Sequence, residues 1–341
     1  MQAAYLIGAC LQQTARPADA IKYYRQALDA APAGELAPFI LRGLVVAYLD
    51  TRQPASARDA ALDLLKHPQT PEETAQTLLN LGNAYTANRQ YDEAQGAYTR
   101  IIKEFAEPAA DVVPLAYMGL AGVAEARRDA AEAVNRYREV IRRYPDHEAA
   151  GQAFYRIGVN LSDLKQFGEA IDAFNNVPNA SRLADRAAYA AAWAYVDQGK
   201  TEQANIQFLR VAERFPDSPL AADSLAQVGE YYMGQKQYDK GAELFGRALG
   251  VAKPGSATPL ALIAYKQGVC AYYAKQYEVS AVAFDKVVDD YPTSEYAADS
   301  LFMKGRSLDL QEQPVPARDT YLQYLAKYPN QTYCLDAALG A

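Results

Sequence analysis

The chain has few of the residues that build metal centres. Its 341 residues include three cysteines and two histidines. A structural zinc site needs about four cysteine, histidine or carboxylate ligands held close together. His67 and His147 each stand without such residues at ligand spacing. The sequence therefore predicts no metal site.

Long apolar runs, an excess of positive charge and the familiar catalytic motifs are also absent from the sequence. No apolar stretch reaches the roughly 18 residues that a membrane-spanning helix requires. The net charge is −7, and the basic pairs at 127–128 and 142–143 stand among acidic residues, which argues against nucleic-acid binding. No phosphate-binding GxxxxGKS/T, HExxH or GxSxG motif occurs. We therefore predict no enzyme activity, no catalytic residues, no cofactor and no membrane span in this segment.

Tyrosine, by contrast, is abundant, with 26 residues, and it recurs at a fixed spacing. An aromatic residue is followed three positions later by a small residue, and four positions after that by a second aromatic residue. A glycine precedes each small residue by about twelve positions. The segments that show the pattern in full are QYDEAQGAYTRII at 90–102, QFGEAIDAFNNV at 166–177, QYDKGAELFGRAL at 237–249 and QYEVSAVAFDKVV at 276–288.

Extended along the chain, this register gives nine units and a partial tenth. The pattern resembles the tetratricopeptide repeat family, whose repeats carry L-G-x-x-Y, A-x-x-x-F and a closing proline. The resemblance implies an all-α fold, a right-handed α-solenoid of helix–turn–helix units that forms a single superhelix over residues 1–341. Because the ends carry no polar cap, we expect the chain to be a segment of a longer protein. The units start near residues 1, 38, 75, 114, 151, 185, 222, 261 and 298, and the first helix of a tenth lies near 335–341.

Three columns of the repeat indicate how its helices pack. The second helix carries a small residue in all nine units, and an aromatic residue follows it by one turn. The first helix carries mostly glycine, which costs about 1 kcal/mol in a helix interior, so its recurrence predicts a close approach. Only the second unit lacks the aromatic residue: it has Ala61 there, and Val45 in place of the glycine.

The first ten residues, MQAAYLIGAC, look like the end of a lipoprotein export signal. They lack the basic start and the length of about 15 to 30 residues that such a signal needs. In the repeat register Gly8 occupies the glycine column. We therefore expect this stretch to be the first helix of the first unit, with Cys10 as a small packed residue.

Two stretches indicate a branch of the family. FPDSPLAADSL at 215–225 and YPTSEYAADSL at 291–301 look like repeats of bacterial cell-envelope proteins. Examples are the outer-membrane β-barrel assembly lipoprotein and the periplasmic protein that works with the Tol–Pal system. The resemblance implies a bacterial protein of the periplasm or cell envelope that binds other proteins. The alternatives are chance convergence on a good helix stop and start, and a cytoplasmic location.

One face of the first helices is the candidate binding site. Residues three before, one after and four after the glycine column share a helix face, and this face becomes rich in aromatic residues from the fifth unit onwards. Tyr, Trp and Arg side chains most often dominate binding energy. The alternative is that these aromatic residues pack between neighbouring units. We predict a concave partner-binding groove formed by Tyr155, Arg186, Tyr189, Trp193, Tyr265, Tyr272, Tyr273, Phe302 and Arg306.

The leading hypothesis is a non-enzymatic scaffold that binds a partner protein or peptide in this groove. A second hypothesis is that the repeats position substrates or complexes within a larger secretion or glycosyltransferase machine. A third is a structural module that self-associates end to end through its uncapped termini.

Overall fold

The computed structural model of the chain describes residues 2–32, 34–253 and 258–341. Within these ranges the regular structure is entirely helical, with nineteen α-helices and no β-strand. The predicted all-α fold is therefore confirmed. The helices are α1 Gln2–Gln13, α2 Pro17–Ala30, α3 Ala37–Asp50, α4 Pro54–Leu64, α5 Pro71–Ala87, α6 Tyr91–Glu104, α7 Val113–Ala126, α8 Ala130–Arg143, α9 Glu148–Asp163, α10 Phe167–Asn175, α11 Ala184–Asp197, α12 Thr201–Arg214, α13 Leu220–Gly234, α14 Tyr238–Val251, α15 Leu260–Tyr273, α16 Tyr277–Asp290, α17 Ala297–Asp309, α18 Pro314–Lys327 and α19 Cys334–Gly340.

The chain divides into two compact units. Unit 1 comprises residues 1–183 with α1–α10, and unit 2 comprises residues 184–341 with α11–α19. Odd-numbered helices are the first helices of repeats and even-numbered helices are the second. Inside each unit every helix packs against the helices before and after it, and neighbouring first helices also touch, as α5 and α7 do in unit 1 and α11 and α13 do in unit 2. Such nearest-neighbour packing is that of an α-solenoid, whereas a single superhelix over residues 1–341 stays a prediction.

Proline sets the ends of several second helices. α8 ends at Arg143, directly before Tyr144 and Pro145. Proline has no backbone N–H to continue the hydrogen-bond ladder, and it disfavours the helical conformation at the residue before it. The same aromatic–proline pair follows α12, α16 and α18.

The glycines of the first helices make room for aromatic rings of the second helices. A Cβ atom on Gly82 would lie 2.5 Å from the ring of Tyr98, and one on Gly158 would lie 2.5 Å from the ring of Phe174. Carbon atoms that are not bonded to each other do not approach that closely. The close approach predicted from the glycine column is therefore confirmed, and its partner is the aromatic column of the same repeat.

In the second repeat the large and the small residue are exchanged between the two columns. Val45 stands in the glycine column and Ala61 in the aromatic column, and both side chains are buried. A larger first-helix residue therefore accompanies a smaller second-helix residue. This exchange explains why the repeat tolerates the loss of both signature residues.

The three cysteines are free thiols in different surroundings. Cys270 is buried in α15, Cys334 is partly buried, and Cys10 is exposed on α1. The expectation that Cys10 is a packed residue is wrong, because its side chain lies on the outer side of the first helix. In the described parts of the chain, no helix combines the length and the apolar character needed to cross a membrane.

Candidate partner-binding surface

The nine residues predicted to form a groove are distributed over both units. Tyr155 belongs to α9 of unit 1. The other eight belong to α11, α15 and α17 of unit 2, with Arg186 in the first turn of α11. The two groups are therefore described separately.

On α11, Tyr189 and Trp193 pack on the ring of Phe208 from the second helix of the same repeat. The ring centroids lie 5.6 Å apart for Tyr189 and Phe208, and 5.5 Å apart for Trp193 and Phe208. Both contacts are edge-to-face, the arrangement that aromatic quadrupoles favour. Even so, 37% of Trp193 remains exposed. The indole is therefore partly packed and partly exposed to solvent.

The hydroxyl of Tyr189 is fixed by the next repeat. It donates a hydrogen bond to the carboxylate of Asp223 on α13, which also accepts one from the hydroxyl of Thr258. Asp223 is buried, so these donors satisfy a carboxylate that water does not reach. Burial, together with the hydrogen bond to Asp223, raises the pKa of Tyr189. Tyr189 is thus a rigid part of the surface.

On α15, Tyr265 packs on Phe284 of its own repeat and on Tyr296 of the next. The centroid distances are 5.9 Å to Phe284 and 5.1 Å to Tyr296, and the second pair is stacked. Tyr265 is half-buried as a result. Its role in packing is clear, and one side of its ring remains accessible.

The end of α15 presents two further tyrosines. Tyr273 stacks on Tyr238 with a centroid distance of 5.1 Å, yet 59% of it remains exposed. Tyr272 lies edge-on to Tyr273 at 5.7 Å and to Tyr277 at 5.9 Å. These rings form a cluster where first helices end and second helices begin.

Phe302 does not lie on the surface, which corrects its predicted place in an open groove. It is only 3% exposed. Its ring stacks on Tyr333 at 4.4 Å and also contacts Tyr321 and Tyr324. Its apolar ring is covered from the second helix of its own repeat and from the residue that precedes α19. Arg306, one residue after the glycine column of the same helix, is exposed.

In unit 1, Tyr155 packs on Phe174 with a centroid distance of 5.9 Å and is half-buried. Tyr5 on α1 has the same place in its repeat and packs on Tyr24 with a centroid distance of 6.2 Å. The Tyr98 hydroxyl donates a hydrogen bond of 2.7 Å to Asn83 Oδ1. Burial raises the pKa of Tyr98 to about 12. Tyr155 and Tyr5 therefore both pack on the aromatic column of their own repeats.

Sequence reasoning missed several aromatic residues that join the predicted ones. Tyr238 and Tyr277 are the first residues of α14 and α16, and they hold Tyr273 and Tyr272 in place. Their signal was present in the recurring QY that opens the second helices. Tyr232 on α13 receives Lys240 over its ring at 5.0 Å, a cation–π contact.

We call the accessible part of this arrangement the first-helix surface of unit 2. It combines aromatic rings that are packed on one side and open on the other with two exposed guanidinium groups. Such a surface can bind a peptide by apolar contact and by hydrogen bonding. It consists of Arg186, Tyr189, Trp193, Tyr265, Tyr272, Tyr273 and Arg306.

Family models of known protein repeats match most of these helices. One tetratricopeptide repeat model matches residues 42–108, 79–148 and 189–257, which together cover more than half of the chain. The chain belongs to the tetratricopeptide repeat family. Further models of the same family match residues 2–33, 264–294 and 299–330. A comparison with curated protein sequences finds no match.

Solved structures give a likeness of fold. The apo form of RapI shares 16% identity with the tetratricopeptide chain, with 85% of this chain and 86% of RapI covered and a TM-score of 0.51. The C-terminal part of a tetratricopeptide repeat protein from Cytophaga hutchinsonii shares 15% identity over 87% of this chain and 99% of that one, with a TM-score of 0.49. At this level of identity the likeness to RapI shows the α-solenoid fold alone.

Proposed function

We propose that this tetratricopeptide repeat protein is a non-enzymatic scaffold that binds a partner protein or peptide on the first-helix surface of unit 2. The observation that carries the proposal is the exposure of Trp193 and Tyr273, at 37% and 59%. Each ring packs on another ring and also keeps a large area in contact with water. Covering that area would release a free energy of roughly 25 cal/mol per Å² of apolar surface.

The packing of this surface also supports binding. Tyr189 is held by its hydrogen bond to Asp223, and Tyr265 by its stacking on Tyr296. A surface whose side chains are already ordered loses little conformational entropy when a partner binds. Trp, Tyr and Arg, which compose the whole of this surface as defined above, are the residues enriched among interface hot spots.

Affinity capture with matched variants tests the proposal. The whole chain, immobilised, is exposed to a lysate of its source cells as wild type and as two double variants. Trp193→Ala/Tyr273→Ala removes the exposed rings of the first-helix surface. Val279→Ala/Val282→Ala removes two exposed side chains from α16, a second helix. We expect a protein that is retained by the wild type and by the α16 variant and is lost with the first-helix variant.

The opposite pattern of retention would contradict the proposal. A partner lost only with the α16 variant would assign binding to the second helices. Equal retention by all three proteins would mean that neither set of side chains contributes. Circular dichroism of both variants, which should match the wild type, separates loss of binding from loss of folding.

A bacterial cell-envelope location is the finer part of the proposal. It is supported by the resemblance of the stretches at 215–225 and 291–301 to repeats of envelope proteins. Immunodetection of the native protein in fractionated source cells tests it. We expect the protein in the periplasmic or envelope fraction, and its confinement to the cytoplasmic fraction would contradict this location.

A further inference from the structure

The same short stretch, AADSL, places an aspartate in the first turn of two first helices. These are Asp223 in α13 and Asp299 in α17. Asp223 is buried and accepts hydrogen bonds from Tyr189 and Thr258. Its carboxylate is therefore satisfied inside the protein, which is the usual condition of a buried polar group.

Asp299 has the same place in its repeat but a different environment. Tyr265, which stands in the position of Tyr189, stacks on Tyr296 instead of donating its hydroxyl. Among the described residues, none donates a hydrogen bond to the Asp299 carboxylate or forms an ion pair with it. The side chain is partly buried, and this burial raises the pKa of the Asp299 carboxyl. A partly desolvated carboxylate without a donor is a group that gains from a cation.

Two stacked ring pairs include the residues three before and three after Asp299. Residues 296, 299 and 302 follow one another at a spacing of three, so they share one face at the start of α17. Tyr265 stacks on Tyr296 with an interplanar angle of 24°. Tyr333 stacks on Phe302 with an interplanar angle of 4°. Burial and the nearby charge of Asp299 raise the pKa of Tyr265. We call this arrangement the Asp299 site.

We propose that the Asp299 site binds an arginine side chain of the partner segment. This rests on the proposed function and adds the chemistry of one contact to it. A guanidinium group can donate two parallel hydrogen bonds to one carboxylate, and its flat faces stack on aromatic rings. The half-buried rings of Tyr265, Tyr296 and Tyr333 belong to the same site. The ammonium group of lysine has neither the fork nor the flat face.

A peptide titration followed by heteronuclear NMR tests this assignment on the whole chain. The probe is the neutral-ended peptide acetyl-Gly-Gly-Arg-Gly-Gly-amide, and its matched controls carry citrulline or lysine in place of arginine. We expect saturable shifts of the amide signals of residues 296–302 and of Tyr333 with the arginine peptide. The citrulline peptide, which keeps the shape and loses the charge, should bind at least ~10-fold more weakly.

Two variants of equal charge separate a specific site from general attraction to an acidic protein. Asp299→Asn should weaken binding of the arginine peptide at least ~10-fold, because it removes a charge-assisted hydrogen bond. Asp289→Asn removes an exposed carboxylate from α16 and should leave binding unchanged. Equal loss in both variants, or shifts that neither variant alters, would overturn the proposal.

The remaining outcomes are also decisive. The absence of any shift up to the solubility limit of the peptide would overturn the Asp299 site. A lysine peptide that binds as tightly as the arginine peptide would overturn the choice of arginine. In either case a partner lost with Trp193→Ala/Tyr273→Ala would still support the proposed function, so the two failures are distinguishable.

Discussion

The two units fill the aromatic column of their repeats with different proportions of tyrosine and phenylalanine. Unit 1 has three tyrosines, Tyr24, Tyr98 and Tyr137, and one phenylalanine, Phe174, whereas unit 2 has three phenylalanines, Phe208, Phe245 and Phe284, and one tyrosine, Tyr321. All eight rings are buried. The difference is a single hydroxyl group per ring, and it changes what the facing first helix must supply.

A buried hydroxyl needs a hydrogen-bond partner. The Tyr24 hydroxyl donates to Gln12 Oε1 at 2.8 Å, and the Tyr98 hydroxyl donates to Asn83 Oδ1 at 2.7 Å. The first-helix positions beside these rings therefore carry polar residues. Tyr137 likewise lies beside a charged pair, which Glu125 forms with Arg156.

An aromatic first-helix residue packs on either kind of column ring, as Tyr5 does on Tyr24 in unit 1 and Phe302 does on Tyr321 in unit 2. Tyr189 covers Phe208 and Tyr265 covers Phe284 in unit 2, and Tyr155 covers Phe174 in unit 1. The aromatic character of the predicted groove is thus partly a consequence of packing.

Packing alone does not explain how much of Trp193 and Tyr273 stays exposed. Each ring leaves apolar area in water. The comparison of the units therefore separates residues that serve the core from those that remain available to a partner.

The largest effect is expected where a column ring is removed. Tyr98→Ala should lower the free energy of unfolding by about 3 to 5 kcal/mol, the cost of a large aromatic cavity. Adding Gly82→Val copies the Val45–Ala61 exchange of the second repeat, and it should recover at least ~1 kcal/mol of that loss. Urea unfolding of the single and double variants measures both values. A double variant that is less stable than Tyr98→Ala would show that the exchange is not transferable.

A smaller effect is expected at the glycine column in both units. Gly82→Ala and Gly268→Ala would each place a Cβ within 2.5 to 2.7 Å of a buried ring, and each should lower stability by roughly 1 to 3 kcal/mol. The matched control is Gly96→Ala in α6, where nothing lies within 4 Å of the added atom. This control should raise stability by up to ~1 kcal/mol because alanine favours the helix. Equal effects at Gly82 and Gly96 would contradict the packing account.

The smallest effect is a difference in alkaline stability between tyrosine and phenylalanine columns. Burial raises the pKa of Tyr98 from its ordinary 10.0 to about 12. As pH rises, the hydroxyl loses its proton in the unfolded chain at a lower pH than in the folded chain. The stability contributed by the neutral hydroxyl is therefore complete below the pKa of the unfolded chain, and it is lost as pH rises through the pKa of the folded chain. Tyr98→Phe should therefore show a shallower fall of unfolding free energy between about pH 9 and about pH 12. Urea unfolding at several pH values measures the slopes, and identical slopes would contradict the account.

Much of the fold followed from the sequence because its columns repeat. Glycine, small and aromatic residues at fixed spacing predicted the helix pairs, and the ring of Tyr98 over Gly82 is the contact that the spacing required. The backbone conformation of the turn before each second helix was less obvious. Lys236 and Lys275 adopt left-handed backbone conformations in the turns, where glycine is the usual choice.

The exposure of individual site residues was harder to predict, because it depends on contacts between segments that are distant in sequence. Phe302 is buried because Tyr333, more than thirty residues later, stacks on it. The hydroxyl of Tyr189 is fixed by Asp223 of the next repeat. Helical spacing gives the face on which a residue lies, and the neighbouring repeat decides whether that face is open.

The central claim is that Trp193 is available to a partner, and one measurement tests it most directly. The dissociation constant of the captured partner is determined for the wild type, for Trp193→Ala and for the matched control Val282→Ala on α16. We predict that Trp193→Ala weakens binding at least ~30-fold, the hot-spot range of 2 kcal/mol or more, and that Val282→Ala leaves binding unchanged. An unchanged dissociation constant for Trp193→Ala would contradict the account, because the exposed indole would then contribute nothing to recognition.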